Sequence, residues 1–137
     1  MSLPAEILLG SGLALICALV HVGVIIGGVG LLRRMVGRRG VRLLGIGVLI
    51  ALVAHIVQIW AWAAAFQFFG AFDDFAASFY FSIATYTTVG YGDVVLAPGI
   101  RVFAAFASVT GMLAFGISTA FLASLITRLV PSHWRDP

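Results

Sequence analysis

Charge is what this chain has least of. Only 9% of its 137 residues are Asp, Glu, Lys or Arg, and there is no lysine at all. An ordinary soluble domain carries about 25% charge and roughly 45–50% apolar residues, whereas here 62% are hydrophobic and mean hydropathy is +1.14. So little charge cannot cover that much apolar surface in water, which excludes a soluble enzyme, a nucleic-acid binder and a disordered tail. A single cysteine, Cys17, permits no intrachain disulfide and says nothing of redox compartment. No basic flank precedes the first apolar run, so that run reads as a retained helix rather than a cleaved signal.

What is there is lipid-compatible sequence. A membrane helix needs roughly 20 apolar residues. The chain holds three such runs, about 7–32, 43–69 and 100–130, and one short aromatic segment, 75–86. The expected fold is an all-α membrane protein, with three transmembrane helices plus a re-entrant short helix followed by extended chain. Residues 1–42 comprise an N-terminal helix and an Arg-rich loop. Residues 43–130 form a second unit, with an outer helix 43–69, a short helix 74–86, a loop 87–93 and an inner helix 99–130. Residues 131–137 are a short tail.

The short segment decides this topology. Twelve residues of helix rise about 18 Å, too little for a hydrocarbon core of about 30 Å. Irregular backbone at membrane depth is tolerated only when buried in protein or lining a watery cavity. Asp73 or Asp74 is placed to cap the short helix.

Arginine orients the whole. Arg33, Arg34, Arg38, Arg39 and Arg42 fall in one loop, and Arg128 and Arg135 near the far end, leaving Arg101 alone on the other side. The positive-inside rule then puts the loop and the C-terminus in the cytoplasm and the N-terminus, with Glu6, outside. The expected location is a cell (plasma or inner) membrane. The loop arginines follow at spacings of 1, 4, 1 and 3 rather than every third residue of a helix, so they do not read as a voltage sensor.

Thr87-Thr88-Val89-Gly90-Tyr91-Gly92-Asp93 is the segment with chemistry in it. A dehydrated potassium ion needs about eight oxygens around it. Successive carbonyls can face one side only if the backbone alternates between right- and left-handed residues, and left-handed φ is cheap for glycine alone. Gly90 and Gly92 stand at alternate positions, as such a strand requires. Thr88 adds a hydroxyl, and Val89 and Tyr91 are expected to pack against the short helix. One strand offers one or two oxygens per layer, so a full cage implies four identical subunits on a symmetry axis.

This heptapeptide, following an aromatic half-helix and preceding a full span, resembles the filter signature of the tetrameric potassium channels. The resemblance covers about residues 43–127 and includes the last helix, Val109-Thr110-Gly111-Met112-Leu113-Ala114-Phe115-Gly116, which is similar to the inner helix of small bacterial channels. It implies that Thr88, Val89, Gly90 and Tyr91 hold potassium, supported by Thr87, Gly92 and Asp93. Tyr91 stands where non-selective relatives have aspartate, which implies selectivity over sodium. Met112, Phe115, Thr119, Ala123 and Thr127 would line the cavity and inner mouth. The last three are small, so the mouth is expected to be wide.

The departures are specific. The first span is extra to a two-helix channel. Ala84 replaces a glutamate that braces some filters, leaving Asp93 without that partner. Tyr80 and Phe81 replace tryptophans, so a bond from Tyr80 to the filter is open. Residues 94–98 look one residue short.

Gly111 reads as either a hinge or a close contact, and Gly116 as a packing position. Gly23 and Gly27 offer a face for docking the first helix. Trp60 and Trp62 read partly as an interfacial belt. His21 and His55 fall near mid-membrane on adjacent helices, either as neutral residues bonded to backbone or Gln58, or as a candidate proton sensor.

The function expected is passive potassium conduction by a homotetramer in a lipid bilayer, with no enzymatic activity, no nucleic-acid partner and no cofactor beyond bound K+. The alternatives are a weakly selective cation channel, and a non-conducting accessory subunit of another channel or transporter.

Overall fold

In a computed structural model the chain is all-helical among the described residues, 1–34 and 40–129. Four helices follow in order: α1 (Leu3–Arg34), α2 (Gly40–Phe68), α3 (Phe75–Tyr86) and α4 (Arg101–Leu129). Three of them, α1, α2 and α4, are long and apolar enough to cross a membrane. The 12-residue α3 is not. Positions 35–39 of the arginine loop and the tail, 130–137, lie outside the described residues.

Helix α1 packs on α4 and, less extensively, on α2, while α3 sits between α2 and α4. The core lies where all four meet: Trp62, Phe66, Tyr86 and Phe103 are fully buried there, with Cys17 and Ala107. Trp62 is therefore a core residue, not part of a belt. Trp60 keeps an exposed ring, against Phe75 and Phe79.

Close packing of α1 does not use Gly23 and Gly27, which are exposed with open space beside them. Its buried face runs through Glu6, Gly10, Cys17, His21, Ile25, Gly28 and Leu32, spaced by three, four or seven. A Cβ at Gly10 would run into Phe106, and one at Gly28 would meet Ile50.

The N-terminal end of α1 is fastened twice. Glu6 is buried, and its Oε2 accepts from the backbone N–H groups of Val102 at 2.9 Å and Phe103 at 3.3 Å. These belong to the first turn of α4, where helical N–H groups have no internal partner. The N-terminal amine donates to the Gly99 carbonyl at 2.8 Å. Glu6 is thus the cap of a helix 96 residues away.

Asp74 caps α3, accepting from Ala77 N–H at 2.7 Å. The buried face of α3 is Ser78, Ser82 and Tyr86, four residues apart. Each ties to α2: Ser78 Oγ donates to Gln67 Oε1 at 3.0 Å, Ser82 Oγ to the Ile59 carbonyl at 2.8 Å, and Tyr86 Oη bonds His55 Nδ1 at 2.8 Å. Three polar ties in an apolar bundle fix the short helix's depth and rotation.

Candidate functional site

The chain leaves α3 in a series of tight turns. Thr87 N–H donates to the Ile83 carbonyl, Thr88 N–H to Thr85, and Gly90 N–H to Ala84. Thr87 Oγ1 also donates to Ile83, and Ser108 Oγ of α4 to the Thr85 carbonyl at 2.8 Å. The Ile83, Ala84 and Thr85 carbonyls are thereby occupied, and the chain turns back at the end of its own helix.

The backbone of that segment alternates. Thr88 has φ +61°, Gly90 +51° and Gly92 +77°, so every second residue is left-handed. The two glycines adopt this at little cost. Thr88 does so against the usual steric penalty of about 1–2 kcal/mol, and sequence reasoning did not find it. Its neighbours hold it: Thr88 N–H and Gly90 N–H are both bonded to the end of α3. With that alternation, successive carbonyls are free to face one side, at the negative end of the α3 dipole.

Residues 88–93 are exposed within the single chain. Val89 and Tyr91, expected to pack on the short helix, are 51% and 76% exposed in the single chain. Between α3 and α4 runs a cleft of about 400 Å³ lined by residues such as Phe81, Thr85, Leu96, Arg101 and Ala104.

Asp93 does have a partner. Tyr80 Oη donates to Asp93 Oδ2 at 2.6 Å, which closes the question left open at Tyr80. The bond holds the Asp93 carboxyl below its usual range.

On α4, Gly111 meets α3. A Cβ there would overlap the Tyr86 carbonyl oxygen, so this glycine is a close-contact position at the root of the 87–93 segment. Gly116, read as the packing glycine, has open space within the chain. Met112, Phe115, Thr119, Ala123 and Thr127 all fall on exposed positions of α4. Phe115 turns partly back into the bundle, stacked on His55 with centroids 4.4 Å apart.

A family model described as an ion channel matches residues 50–128, more than half of the chain. The protein belongs to this ion channel family. No curated protein and no solved structure matches it. The matched stretch takes in most of α2, all of α3, the alternating segment and nearly all of α4. The first helix lies outside it. The channel is accordingly a multi-pass membrane protein whose family-defining part is α2 to α4, with α1 fastened along α4.

The two histidines also fall inside the structure rather than on its lipid face. His21 is fully buried between Gln58 and Ser118, and His55 lies between Tyr86 and Phe115. The buried serines of α3 and the cap at Glu6 were missed by sequence reading. The four-residue spacing of Ser78, Ser82 and Tyr86 was the available signal for the first.

Proposed function

We propose that this channel is potassium-selective and conducts as a tetramer of identical chains. The observation that carries the reading is the left-handed φ at Thr88, Gly90 and Gly92 in a Thr-Val-Gly-Tyr-Gly segment that leaves the C-terminal end of a membrane half-helix. Rings of backbone carbonyls are how such channels replace an ion's hydration shell. Thr88, Val89, Gly90 and Tyr91 supply the oxygens in this reading, with Thr87 and Gly92 completing the turn and Asp93 edging the mouth. The ions in the filter are the transported substrate.

The exposed face supports assembly. A Tyr91 ring 76% exposed, an open cleft beside α3 and an apolar stripe at Met112, Phe115, Thr119 and Ala123 are unpartnered in one chain. Four copies around an axis would cover the ring and surround an ion that one strand cannot enclose. Arginine placement supports a cytoplasmic C-terminus and loop, with the 87–93 segment opening outward.

Purified protein in liposomes tests this directly. Potassium flux that is blocked by barium, with sodium excluded and a cross-linked mass of four chains, is the expected result. Equal sodium and potassium flux would instead establish a weakly selective pore. A verified tetramer carrying no ion would establish an accessory subunit.

A further inference from the structure

Five polar side chains from four helices meet in the apolar interior, and conduction by the filter uses none of them directly. His21 comes from α1, His55 and Gln58 from α2, Tyr86 from α3 and Ser118 from α4. His21, Gln58 and Tyr86 are fully buried, and Ser118 is nearly so. Gln58 Nε2 donates to His21 Nδ1 at 2.6 Å, which leaves His21 Nε2 as the N–H that donates to Ser118 Oγ at 3.0 Å. Tyr86 Oη lies 2.8 Å from His55 Nδ1 and donates to it when that nitrogen carries no proton. The two imidazoles stand edge to face, 5.0 Å between centroids.

One atom in this cluster is unaccounted for. Gln58 Oε1 is buried and has no hydrogen-bond partner. A buried acceptor left unpaired is costly and needs a reason. A turn of the Gln58 amide would bring Oε1 to His21 Nδ1, where it could accept a hydrogen bond only if that nitrogen carried a proton. The orphan oxygen therefore matches a second state of the cluster in which His21 carries a proton on Nδ1, as the other neutral tautomer with Ser118 Oγ donating to Nε2 or as an imidazolium donating from both nitrogens.

We propose that His21 and His55 form a one-proton switch that sets how firmly the end of α3, and with it the entrance to the filter, is held. The proposal rests on the channel reading above. Two imidazolium rings 5.0 Å apart in an apolar bundle repel too strongly to coexist, so the pair takes one proton, not two. With His21 charged, the bare Nδ1 of His55 is drawn toward the cation and away from Tyr86. Tyr86 then keeps a fully buried hydroxyl without its acceptor, immediately before Thr87 and Thr88. His55 also leaves its stack on Phe115, on the face of α4 assigned to the cavity. Acid accordingly lowers conduction.

No other charge competes at this site. Cys17 of α1 belongs to the same buried group as Tyr86, and α4 adds only the hydroxyls of Ser118 and Thr110, the latter bonded to the Phe106 carbonyl. The sequence has no Asp, Glu, Lys or Arg in 7–32, 43–72, 75–92 or 102–127.

The test is potassium flux from liposomes between about pH 4.5 and about pH 8, paired with imidazole NMR of the same preparation in a His133→Gln background. Native flux is expected to fall with acid, approaching about tenfold per pH unit below the midpoint. H21Q cannot take the proton, and its flux should stay high and level. H55Q keeps an acceptor for Tyr86 and should also be level. NMR should show one proton taken up by the pair. A native flux level across the range, or an H21Q profile that still falls like the native one, overturns the switch. So does NMR showing both rings neutral throughout, or both charged together. The spectra need no conduction, so absent flux at every pH would sink the channel reading while the switch is still decided by the rings.

Discussion

Replacing Gly111 with alanine separates a contact glycine from a hinge glycine. Every Gly→Ala change inside a helix gains about 1 kcal/mol of helix propensity. At Gly111 the added Cβ would overlap the Tyr86 carbonyl oxygen, and that atom is backbone, held at the end of α3. It cannot swing aside as a side-chain tip would. Either α4 withdraws or the root of the 87–93 segment moves. Overpacking of this kind costs about 1–3 kcal/mol. Gly116 is the matched control, because a Cβ there meets nothing in the chain within 4 Å. Both variants carry the same propensity gain, so the difference in their stabilities isolates the overlap. The measurement is thermal unfolding of both purified variants in one detergent, with flux measured alongside. Gly111→Ala should be less stable than Gly116→Ala by about 1–3 kcal/mol and should lose selectivity or flux. Equal stabilities with intact flux would refute the contact argument and return Gly111 to the hinge reading.

Three further outcomes follow from the same geometry. Glu6→Ala leaves the Val102 and Phe103 N–H groups without their acceptor, that of Phe103 in a buried position, and unfolding should show a loss of about 1–3 kcal/mol; Glu6→Gln keeps an acceptor and should recover most of it. Tyr80→Phe removes the bond that lowers Asp93, so a carboxyl NMR titration should find the Asp93 midpoint moved up toward its usual value. The sign is fixed: a lowered carboxylate stabilises the fold above the unfolded midpoint and loses that contribution as pH falls through the folded one, so in Tyr80→Phe this loss begins at higher pH. Gly90→Ala puts a Cβ on a residue with φ +51°, at about 1–2 kcal/mol, and liposome flux should be lost; unchanged flux would mean that the alternation does not carry the ion.

The sequence made the elements legible because each had a local cause. Three apolar runs marked the long helices, and their ends differ from expectation by a few residues. The Asp73-Asp74 pair before an aromatic half-helix announced a cap, which Asp74 supplies, and the alternate glycines announced the left-handed backbone. Thr88 did not, since threonine resists that region and only its bonds to the end of α3 hold it there. The docking face of α1 was not legible for a different reason. A helix that is apolar all round has no periodicity to separate the face against protein from the face against lipid. Gly23 and Gly27 were as good as Gly10 and Gly28 on spacing, and only the positions of Phe106 and Ile50 decided between them. Glu6 read as a charge at an outer terminus. The counterpart clue lay far off: Pro98-Gly99-Ile100 offers the start of α4 no capping side chain of its own.

The attachment of α1 constrains how α4 can move. Glu6 holds the first turn of α4 at Val102 and Phe103, Gly10 lies against Phe106, and His21 is bonded to Ser118. Gly111 and Gly116 both fall between the ties at Phe106 and Ser118. A bend at either would have to shear α1 across α4 or break the His21–Ser118 bond. A bend beyond Ser118 breaks none of these ties. Opening of the inner mouth is therefore expected below Ser118, among Thr119, Ala123 and Thr127, with residues 101–118 moving little. Spin-label distances between α1 and α4 should stay constant above Ser118 and change below it between closed and conducting conditions. A change centred on Gly111, with the α1 ties intact, would show that the first helix travels with α4 instead of bracing it.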